Sequence, residues 1–413
     1  MMVAPKLRFK ADDGSEFPAW EKKTLGNIVE RVTRKNRDNQ TDVPLTISSL
    51  DGLVDQRDYF KKTVASKDMS GYFLLQNGEF AYNKSYSVGF DYGSIKRLDR
   101  YPCGALSTLY ICFGLKPNVD IDSDYLTHYF DSQKWNSEVA AICAEGARNH
   151  GLLNVSTSDF FDINIMSPSL PEQRKISDFL SAVDAVIAAQ QAEVDAWEQR
   201  KKGVMQKLFS QEVRFKADDG SDFPDWEEKT LGELCSPLTY GMNAAATKFD
   251  GENRYIRITD IDDETHALLP NDIVSPSGEL DDKYLVKKGD ILLARTGAST
   301  GKSYLYHQKD GKLFYAGFLI KAHVLPSSDD YFIYSQTLTD RYWKWVKTAS
   351  MRSGQPGINA NEYASYSFAV PSLPEQRKIA DCLASMDEVI QKSKDELAKW
   401  RELKKGLLQQ MFV

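Results

Sequence analysis

Two segments of this 413-residue chain each occur twice, in the same order, and the residues between them differ. Residues 8–26 read RFKADDGSEFPAWEKKTLG, and residues 214–232 read RFKADDGSDFPDWEEKTLG. The second segment begins PSLPEQRKI at residue 168 and again at residue 371. Repeats of this length indicate a duplicated structural unit. The like ends predict one kind of partner bound twice, whereas the unlike middles predict two different ligands or two halves of one ligand.

The second repeated segment has the apolar spacing of a long helix that packs along another helix. Apolar residues recur alternately four and three positions apart, which is typical of a coiled coil. The predicted interface residues are Ile176, Leu180, Val183, Ile187, Val194 and Trp197 in the first copy, and Ile379, Leu383, Met386, Ile390, Leu397 and Trp400 in the second.

Polar residues interrupt this apolar pattern at matching places. Gln190 and Lys201 interrupt the first copy, and Ser393 and Lys404 interrupt the second. Polar side chains at such positions can set the register of paired helices. The simplest partner for each helix is the other copy, packed antiparallel about a pseudo-twofold axis. The alternative is that each helix packs on its own middle domain.

The start of each predicted helix carries a serine and, three residues later, a glutamate. The pairs are Ser169 with Glu172 and Ser372 with Glu375. This spacing predicts a capping box at each helix start, with a proline in the first turn where a missing N–H costs nothing.

The middles combine short strand-like runs with turn signals, which predicts the α+β class. A helical stretch is expected at 123–143 and another at 330–347, and a polar glycine-bearing loop follows each. The chain is therefore predicted to contain two mixed α/β domains joined by two long antiparallel helices. The expected boundaries are 1–167 for the first domain, 168–212 for the first long helix, 213–370 for the second domain and 371–413 for the second long helix.

Composition restricts the class of protein. The net charge of −7 counts against a chain that binds nucleic acid by general basicity, although basic residues cluster locally at 31–37 and 341–352. No apolar run has the length of a membrane span, and the N-terminus lacks the apolar core of a signal peptide. Five scattered cysteines without a Cys-x-x-Cys pair predict free thiols and a cytoplasmic location.

Catalytic motifs are not found in the sequence. Residues 297–303 read GASTGKS, but three residues separate the glycines where a phosphate-binding P-loop needs four. The surrounding pattern predicts strand, turn and strand, so a glycine-rich hairpin is the favoured interpretation. The chain lacks the Asn/Asp-Pro-Pro-aromatic tetrad of amino-methylating enzymes, and its five histidines lack metal-ligand spacing. No metal site is predicted, and the chain is not expected to be an enzyme by itself.

The order of these segments resembles a known family. WEKKTLG at residues 20–26, a variable domain, and then PSLPEQRKI at residue 168 opening a long helix, all present twice, are similar to the specificity subunit of type I restriction-modification systems. The KKG triplets at 201–203 and 404–406 fit the same pattern. The resemblance extends over essentially the whole chain.

The resemblance implies a non-catalytic subunit that recognises DNA. Each middle would be a target recognition domain for one half of a bipartite, asymmetric double-stranded site. The paired helices would space the domains and dock two modification subunits, and restriction subunits could join them. No cofactor is expected on this chain, because S-adenosylmethionine, ATP and Mg would be bound by the partner subunits.

Loops with cationic or amide side chains can match the donors and acceptors of the DNA major groove. The candidate DNA-binding residues are Lys84, Ser85, Tyr86, Arg148, Asn149 and His150 in the first domain, and Arg295, Thr296, Lys302, Arg352 and Gln355 in the second. Two other classes remain open from sequence: a scaffold that joins two protein partners without DNA, and a lone DNA-modifying enzyme with unfamiliar motifs.

Overall fold

The computed structural model describes residues 4–60, 65–143, 152–352 and 354–413. The chain forms two units, of which the first is Met1–Ala192 with Lys394–Val413 and the second is Glu193–Ser393. These divisions cut each long helix near its middle, whereas the sequence patterns had suggested boundaries at the helix starts.

The strands of the first unit are β1 Glu21–Thr24, β2 Val29–Arg31, β3 Pro44–Ser48, β4 Gly52–Asp55, β5 Phe73–Gln76, β6 Phe80–Asn83, β7 Ser94–Arg97, β8 Cys103–Leu106, β9 Ile111–Leu115 and β10 Asn164–Ser167. Its short helices are α1 Leu25–Ile28, α2 Gln56–Phe60, α3 Ser123–Asp131, α4 Asn136–Ile142 and α5 Thr157–Asp162. The long helix α6, Leu170–Phe209, begins in this unit and ends in the second.

The strands of the second unit are β11 Glu227–Thr230, β12 Thr239–Tyr240, β13 Ala246–Lys248, β14 Arg254–Ile256, β15 Val274–Pro276, β16 Asp290–Ala294, β17 Ser303–Leu305, β18 Leu313–Tyr315, β19 Leu319–His323 and β20 Ser367–Val370. Its short helices are α7 Leu231–Leu234, α8 Asp330–Gln336, α9 Asp340–Ala349 and α10 Ala360–Ala364. The long helix α11, Leu373–Met411, begins here and ends in the first unit.

Each middle is closed by pairing between the strand that precedes it and the strand that follows it. Strand β1 pairs antiparallel with β10, and β11 pairs antiparallel with β20. Strands β1 and β11 belong to the repeated segments, and β10 and β20 end directly before the repeated helix starts. The two ends of each middle therefore meet at its base, which leaves the residues between them free to vary.

Each middle contains one four-stranded sheet of the same strand order, whereas the remaining strands differ between the two middles. The first contains a four-stranded antiparallel sheet in the order β2-β9-β6-β7, and the second contains β12-β19-β16-β17 in the matching order. Beside it, the first unit has a second four-stranded sheet, β4-β3-β8-β5, whereas the second unit has two-stranded pairs instead. The predicted α+β class is confirmed, and a common frame with different additions accounts for the unlike sequences.

The glycine-rich hairpin predicted for GASTGKS is present. The segment connects the antiparallel strands β16 and β17. The hairpin there depends on Gly301, whose φ is +94°, because a Cβ at this position would lie 2.6 Å from Val346 Cγ1. The two predicted helical stretches are each divided into two helices, α3 with α4 and α8 with α9.

Each unit has an aromatic core to which both long helices contribute. In the first unit, Ile176 and Leu180 from the start of α6 join a cluster that also contains Met411 from the end of α11. In the second unit, Ile379 and Leu383 from the start of α11 pack in one cluster with Leu208 from the end of α6. Helix pairing and packing on the domain therefore occur together, so the two alternatives left by the sequence both describe part of the structure.

The helices pair in antiparallel fashion through reciprocal ion pairs. In the first unit, Lys404 Nζ lies 2.6 Å from an Asp184 carboxylate oxygen. In the second unit, Lys201 Nζ lies 2.5 Å from Asp387, the residue equivalent to Asp184. The lysines that interrupt the apolar pattern thus bind acids on the opposite helix. Of the twelve residues predicted for the helix interface, nine are buried, and Ile187, Trp197 and Trp400 are half-buried.

The capping boxes predicted at the helix starts are not formed. The Oγ atoms of Ser169 and Ser372 are buried and lack a hydrogen-bond partner among the described residues. The Glu172 carboxylate instead accepts two hydrogen bonds from the Arg8 guanidinium, at 2.8 and 2.7 Å, and one from Trp20 Nε1 at 3.3 Å. A fully buried carboxylate gains more from a guanidinium than from a backbone N–H, which explains the difference.

The second copy repeats this arrangement. Glu375 accepts hydrogen bonds from Arg214 at 3.1 and 2.8 Å and from Trp226 Nε1 at 3.1 Å. The next residue, Gln376, accepts from the backbone N–H of Asp329 at 2.9 Å and donates to the Pro371 carbonyl at 2.9 Å. Adjacent residues of the repeated Pro-Glu-Gln-Arg motif therefore hold the preceding segment and the domain against the same helix start.

We predict that Glu172→Ala lowers the free energy of unfolding of the first unit by about 3 kcal/mol, because it leaves the Arg8 guanidinium without its buried acid. Urea unfolding followed by tryptophan fluorescence measures the loss, and hydrogen exchange should place it in the first unit. Glu375→Ala should have the same effect on the second unit.

The matched control is Asp12→Ala, since the Asp12 side chain is 95% exposed and pairs only at the surface with Lys175. Exposed ion pairs contribute little to stability, so the unfolding midpoint should hardly move. Equal losses in the Glu172 and Asp12 variants would contradict the role assigned to the buried carboxylates.

Candidate nucleic-acid interface

The sheets of the same strand order in the two units contain the corresponding strands β6 and β16, and each of these strands ends among a group of loops. After β6, the Lys84 carbonyl accepts a hydrogen bond from Leu153 N at 2.9 Å, and after β16, the Arg295 carbonyl accepts from Ile358 N at 2.9 Å. We call residues 49–51, 84–93, 107–110 and 152–154 the first edge. The second edge comprises residues 240–242, 295–300, 316–318, 350–352 and 354–358.

Ser85 and Thr296 occupy equivalent places on these edges. Ser85 forms an antiparallel bridge with Leu152, and Thr296 forms one with Gly357. Candidates chosen separately from the two unlike middles therefore lie at matching positions of a common frame.

Arg295 is the basic residue of the second edge whose guanidinium is most available to a ligand. Its guanidinium lies over the Tyr240 ring, 4.7 Å from the centroid. The Tyr240 hydroxyl accepts a hydrogen bond from Ala360 N at 3.1 Å, which fixes the ring. Within the described residues, Arg295 has no carboxylate partner, and its half-buried side chain is held by an aromatic face. It can therefore donate its N–H groups to a ligand.

Two further candidates flank Arg295, and one of them is already paired. The exposed Gln355 lies close to Gly297, because a Cβ at Gly297 would be 2.9 Å from Gln355 Nε2. Arg352 Nη2 lies 2.5 and 2.7 Å from the two carboxylate oxygens of Glu362. The structure thus brings together Arg295, Thr296, Gln355 and Arg352, but the charge of Arg352 is largely neutralised.

Lys302 is turned into the second unit. The residue is only 6% exposed, and its ammonium group lies 2.8 Å from the Ile261 carbonyl and 2.5 Å from the Asp263 carboxylate. These contacts tie the hairpin to the neighbouring loop, and they leave no N–H group at the surface. The prediction that Lys302 contacts DNA is therefore not retained.

In each unit, a buried tyrosine forms a hydrogen bond with the backbone at or beside the edge. Tyr363 donates a hydrogen bond to the Ala294 carbonyl at 2.6 Å and accepts one from Gly301 N at 3.2 Å. In the first unit, Tyr82 donates to the Tyr92 carbonyl at 2.8 Å. Burial raises the pKa of both phenols above the ordinary range, so they stay protonated as donors. Each edge is therefore fixed to a rigid core rather than carried on a free loop.

The first edge has a different chemical character. Lys84 is half-buried, and its ammonium group lies 3.4 Å from the Val155 carbonyl. Ser85 is half-buried and Tyr86 is exposed. The hydroxyl of Ser87 lies 2.9 Å from that of Ser49, which joins the loop after β6 to the turn after β3. Arg148, Asn149 and His150 lie outside the described residues.

Large apolar side chains mark both edges. Among the described residues, the six most exposed are Val88 at 90%, Leu50 at 85%, Leu109 at 72%, Met351 at 68%, Phe318 at 59% and Tyr86 at 53%. All six belong to the two edges. Clustered exposed apolar groups mark interaction surfaces. Of these six residues, the sequence analysis proposed Tyr86 alone. The other five were not proposed, although each lies in a turn or loop of the predicted α+β domains.

Of the basic clusters noted in the sequence, Arg352 lies on the second edge, whereas Arg31, Arg34 and Arg341 lie elsewhere. Arg31 and Arg34 line a groove of about 500 Å³ at the end of the sheet opposite the first edge, together with Glu79, and Arg34 forms an ion pair with Glu79. Arg341 lies 2.7 Å from Glu228. Acids thus compensate two of these cations.

Other kinds of site find no support in the described part of the chain. No group of three His, Cys, Asp or Glu side chains is arranged to hold a metal ion there. None of the helices within the described ranges combines the length and hydropathy needed to cross a membrane. None of the five cysteines forms a disulfide, and burial raises the pKa of the Cys112 and Cys235 thiols to about 12.

Comparison with known proteins agrees with this geometry. The family model described as the type I restriction modification DNA specificity domain matches the chain twice, at residues 19–196 and 224–399. The chain belongs to this family. Each match covers one variable middle, part of the segment before it and the first part of one long helix, so this chain contains two copies of the family's domain.

Individual relatives are similar over most of their length. The MjaVIII type I restriction enzyme specificity subunit of Methanocaldococcus jannaschii is 23% identical over 99% of this chain and 96% of its own. The EcoKI specificity subunit of Escherichia coli K12 is 24% identical over 73% of this chain and 67% of its own. A type I system S subunit from M. genitalium has a TM-score of 0.57 at 16% identity, with coverage of 100% and 99%. At 16% identity, this structural similarity shows the fold alone.

We predict that Arg295→Lys weakens binding of the specific DNA by roughly 1–3 kcal/mol, because lysine keeps the charge but loses the two-pronged donor geometry. Titration of the assembled complex with specific and unrelated duplexes measures the effect. Arg352→Lys is the matched control and should change affinity less, since Glu362 already holds that guanidinium. A larger loss for Arg352→Lys would contradict this ranking.

Proposed function

We propose that each unit recognises one half of a bipartite, asymmetric DNA site through its loop edge. One observation carries this proposal: the two edges lie on the same frame but present different side chains. A common frame suits binding of two stretches of the same polymer, whereas different side chains suit different base sequences. Family membership supports DNA as the polymer.

The second edge suits direct contact with bases. A guanidinium held on an aromatic face can donate two hydrogen bonds to guanine O6 and N7, and a glutamine amide can pair with adenine N6 and N7. Arg295 and Gln355 have the corresponding donors and acceptors at this edge. We assign to them the recognition of bases in the second half-site.

Affinity must come in part from other subunits. The chain carries a net charge of −7, and Arg352, Arg341 and Arg34 are engaged by acids. Because phosphate contacts by lysine and arginine supply most non-specific affinity, this chain alone should hold DNA weakly. We propose that two modification subunits dock on the repeated segments and that restriction subunits can join them.

We propose further that this chain contributes recognition and not catalysis. The partner subunits would bind S-adenosylmethionine, ATP and Mg and would transfer the methyl group or cleave DNA. The support is the lack of methyltransferase motifs in the sequence, together with edges whose side chains suit base contacts.

The test is an exchange of one middle. Residues 27–163 are replaced by the corresponding part of a related subunit, which retains strands β1 and β10 and hence the closure of the domain. Methylome sequencing of cells that express the hybrid with the modification subunit should show a new first half-site and an unchanged second half-site. Omission of the modification subunit should abolish methylation.

The matched control exchanges residues 233–366, between β11 and β20, and should change only the other half-site. A folded hybrid in which both half-sites change would count against independent recognition. Methylation of DNA by this chain without partners would show that it is itself an enzyme.

We also propose that the long helices set the gap between the half-sites. Deletion of residues 188–194 together with 391–397 removes one heptad from each helix and keeps the apolar pattern in phase. Seven residues at ~1.5 Å each shorten a helix by roughly 10 Å, which corresponds to about three base pairs at ~3.4 Å per pair.

Methylation should therefore move to sites with a shorter gap. It should be weaker there, because three pairs also rotate the DNA by nearly a third of a ~10.5-pair turn. Methylome sequencing reports the gap directly. Undiminished modification at the original spacing, in a variant that still binds its partners, would show that the helices do not determine the gap.

A further inference from the structure

We infer that the first edge recognises thymine methyl groups in its half-site through apolar contacts. The inference rests on the proposed DNA recognition and concerns how one half-site is chosen. Its basis is the exposure of Val88, Leu50 and Leu109, which are the three most exposed large apolar side chains among the described residues.

These side chains lie on one edge. Ser49 and Ser87 are joined by a 2.9 Å hydrogen bond, and each is the immediate neighbour of one of the exposed apolar residues, Leu50 and Val88. The Ser49 hydroxyl also donates a hydrogen bond to the Ser94 hydroxyl at 3.1 Å, at the return of the same hairpin. Leu109 lies in the turn between β8 and β9, where Tyr110 contacts Thr46 at 3.5 Å between hydroxyls. The apolar groups are thus held in place by bonds between their neighbours.

The charges in the described part of this edge do not favour a phosphate or a guanine as its main ligand. In the described part of the edge, the single basic side chain is Lys84, whose ammonium group lies 3.4 Å from the Val155 carbonyl. Asp51 and Asp91 add negative charge on the same loops. This contrasts with the second edge, where Arg295 lies over the Tyr240 ring and has no acid partner among the described residues.

Within the major groove, the apolar group that distinguishes one base pair from the others is the C5 methyl of thymine. An edge whose most exposed groups are aliphatic and whose frame matches that of the Arg295 edge is therefore suited to that methyl group. Exposed leucine and valine in water are unfavourable, and burial against a methyl group recovers part of that cost. The first half-site should accordingly contain thymine at the contacted positions, whereas the second edge adds the hydrogen-bonding side chains Arg295 and Gln355 to its exposed Phe318 and Met351.

The experiment uses the complex with the modification subunit and a duplex of the sequence found by methylome sequencing. Each thymine of the first half-site is replaced in turn by uracil, which lacks the methyl group. We expect affinity to fall about fourfold for each contacted methyl group removed, the equivalent of one buried methylene. Replacement by 5-bromouracil, whose bromine fills a similar volume, should restore binding. Uracil in the second half-site should have a smaller effect.

A protein variant then assigns the contact. In V88S combined with L50S, the difference in affinity between the thymine and uracil duplexes should disappear. F60S is the matched control, because Phe60 is also exposed, at 40%, but lies beyond the opposite end of β4. It should retain the fourfold difference.

The outcomes are distinct. Sequence-specific binding that is indifferent to uracil, or a first half-site without thymine, would overturn the inference and leave DNA recognition intact. A complex that shows no sequence-specific binding at all would instead overturn the proposed function. Loss of discrimination in F60S as well as in the double variant would show that the effect is not local to the first edge.

Discussion

The buried carboxylates of Glu172 and Glu375 are the constraint on which each unit depends. A charge with no exposure is tolerated only when it is paired and hydrogen-bonded. Each finds its guanidinium far along the chain, since Arg8 lies 164 residues from Glu172 and Arg214 lies 161 residues from Glu375. The ion pair of each carboxylate therefore joins the segment that precedes a domain to the start of the long helix that follows it. The same contact explains why two distant segments are repeated together.

This closure separates the parts of the chain that must stay alike from those that can differ. The repeated segments supply the ion pair, the first of the two closing strands and the helix starts. The sheet edges at the far ends of β6 and β16 contribute little to the core, because Val88, Leu109, Phe318 and Met351 are mostly exposed. A change on an edge alters what is bound without removing core contacts, so one frame can serve two different half-sites.

The long helices contribute to both units at once. Each core contains the start of one helix and the end of the other, and the reciprocal pairs of Lys404 with Asp184 and Lys201 with Asp387 align them. These ion pairs are only half-buried and add little net stability, but they disfavour other registers, in which a lysine would be left without its acid. The polar interruptions in an otherwise apolar pattern are best explained as register markers of this kind.

The sequence by itself determined the duplicated organisation, the α+β class, the two long helices and the family. These follow from local periodicity and from repeated order, which need no knowledge of distant contacts. It did not determine the partner of Glu172, because a local capping box and a distant arginine look alike until burial is known.

The candidate site was partly accessible from sequence. Arg295, Thr296 and Gln355 could be proposed because cationic and amide side chains in glycine-rich loops are typical of DNA contacts. Only the tertiary structure decided that Lys302 faces inward, that Glu362 neutralises Arg352, and that Leu50, Val88 and Leu109 share one edge. The physical reason is that exposure and pairing are properties of the folded chain: strands far apart in sequence must be brought side by side before a residue has a neighbour or lacks one.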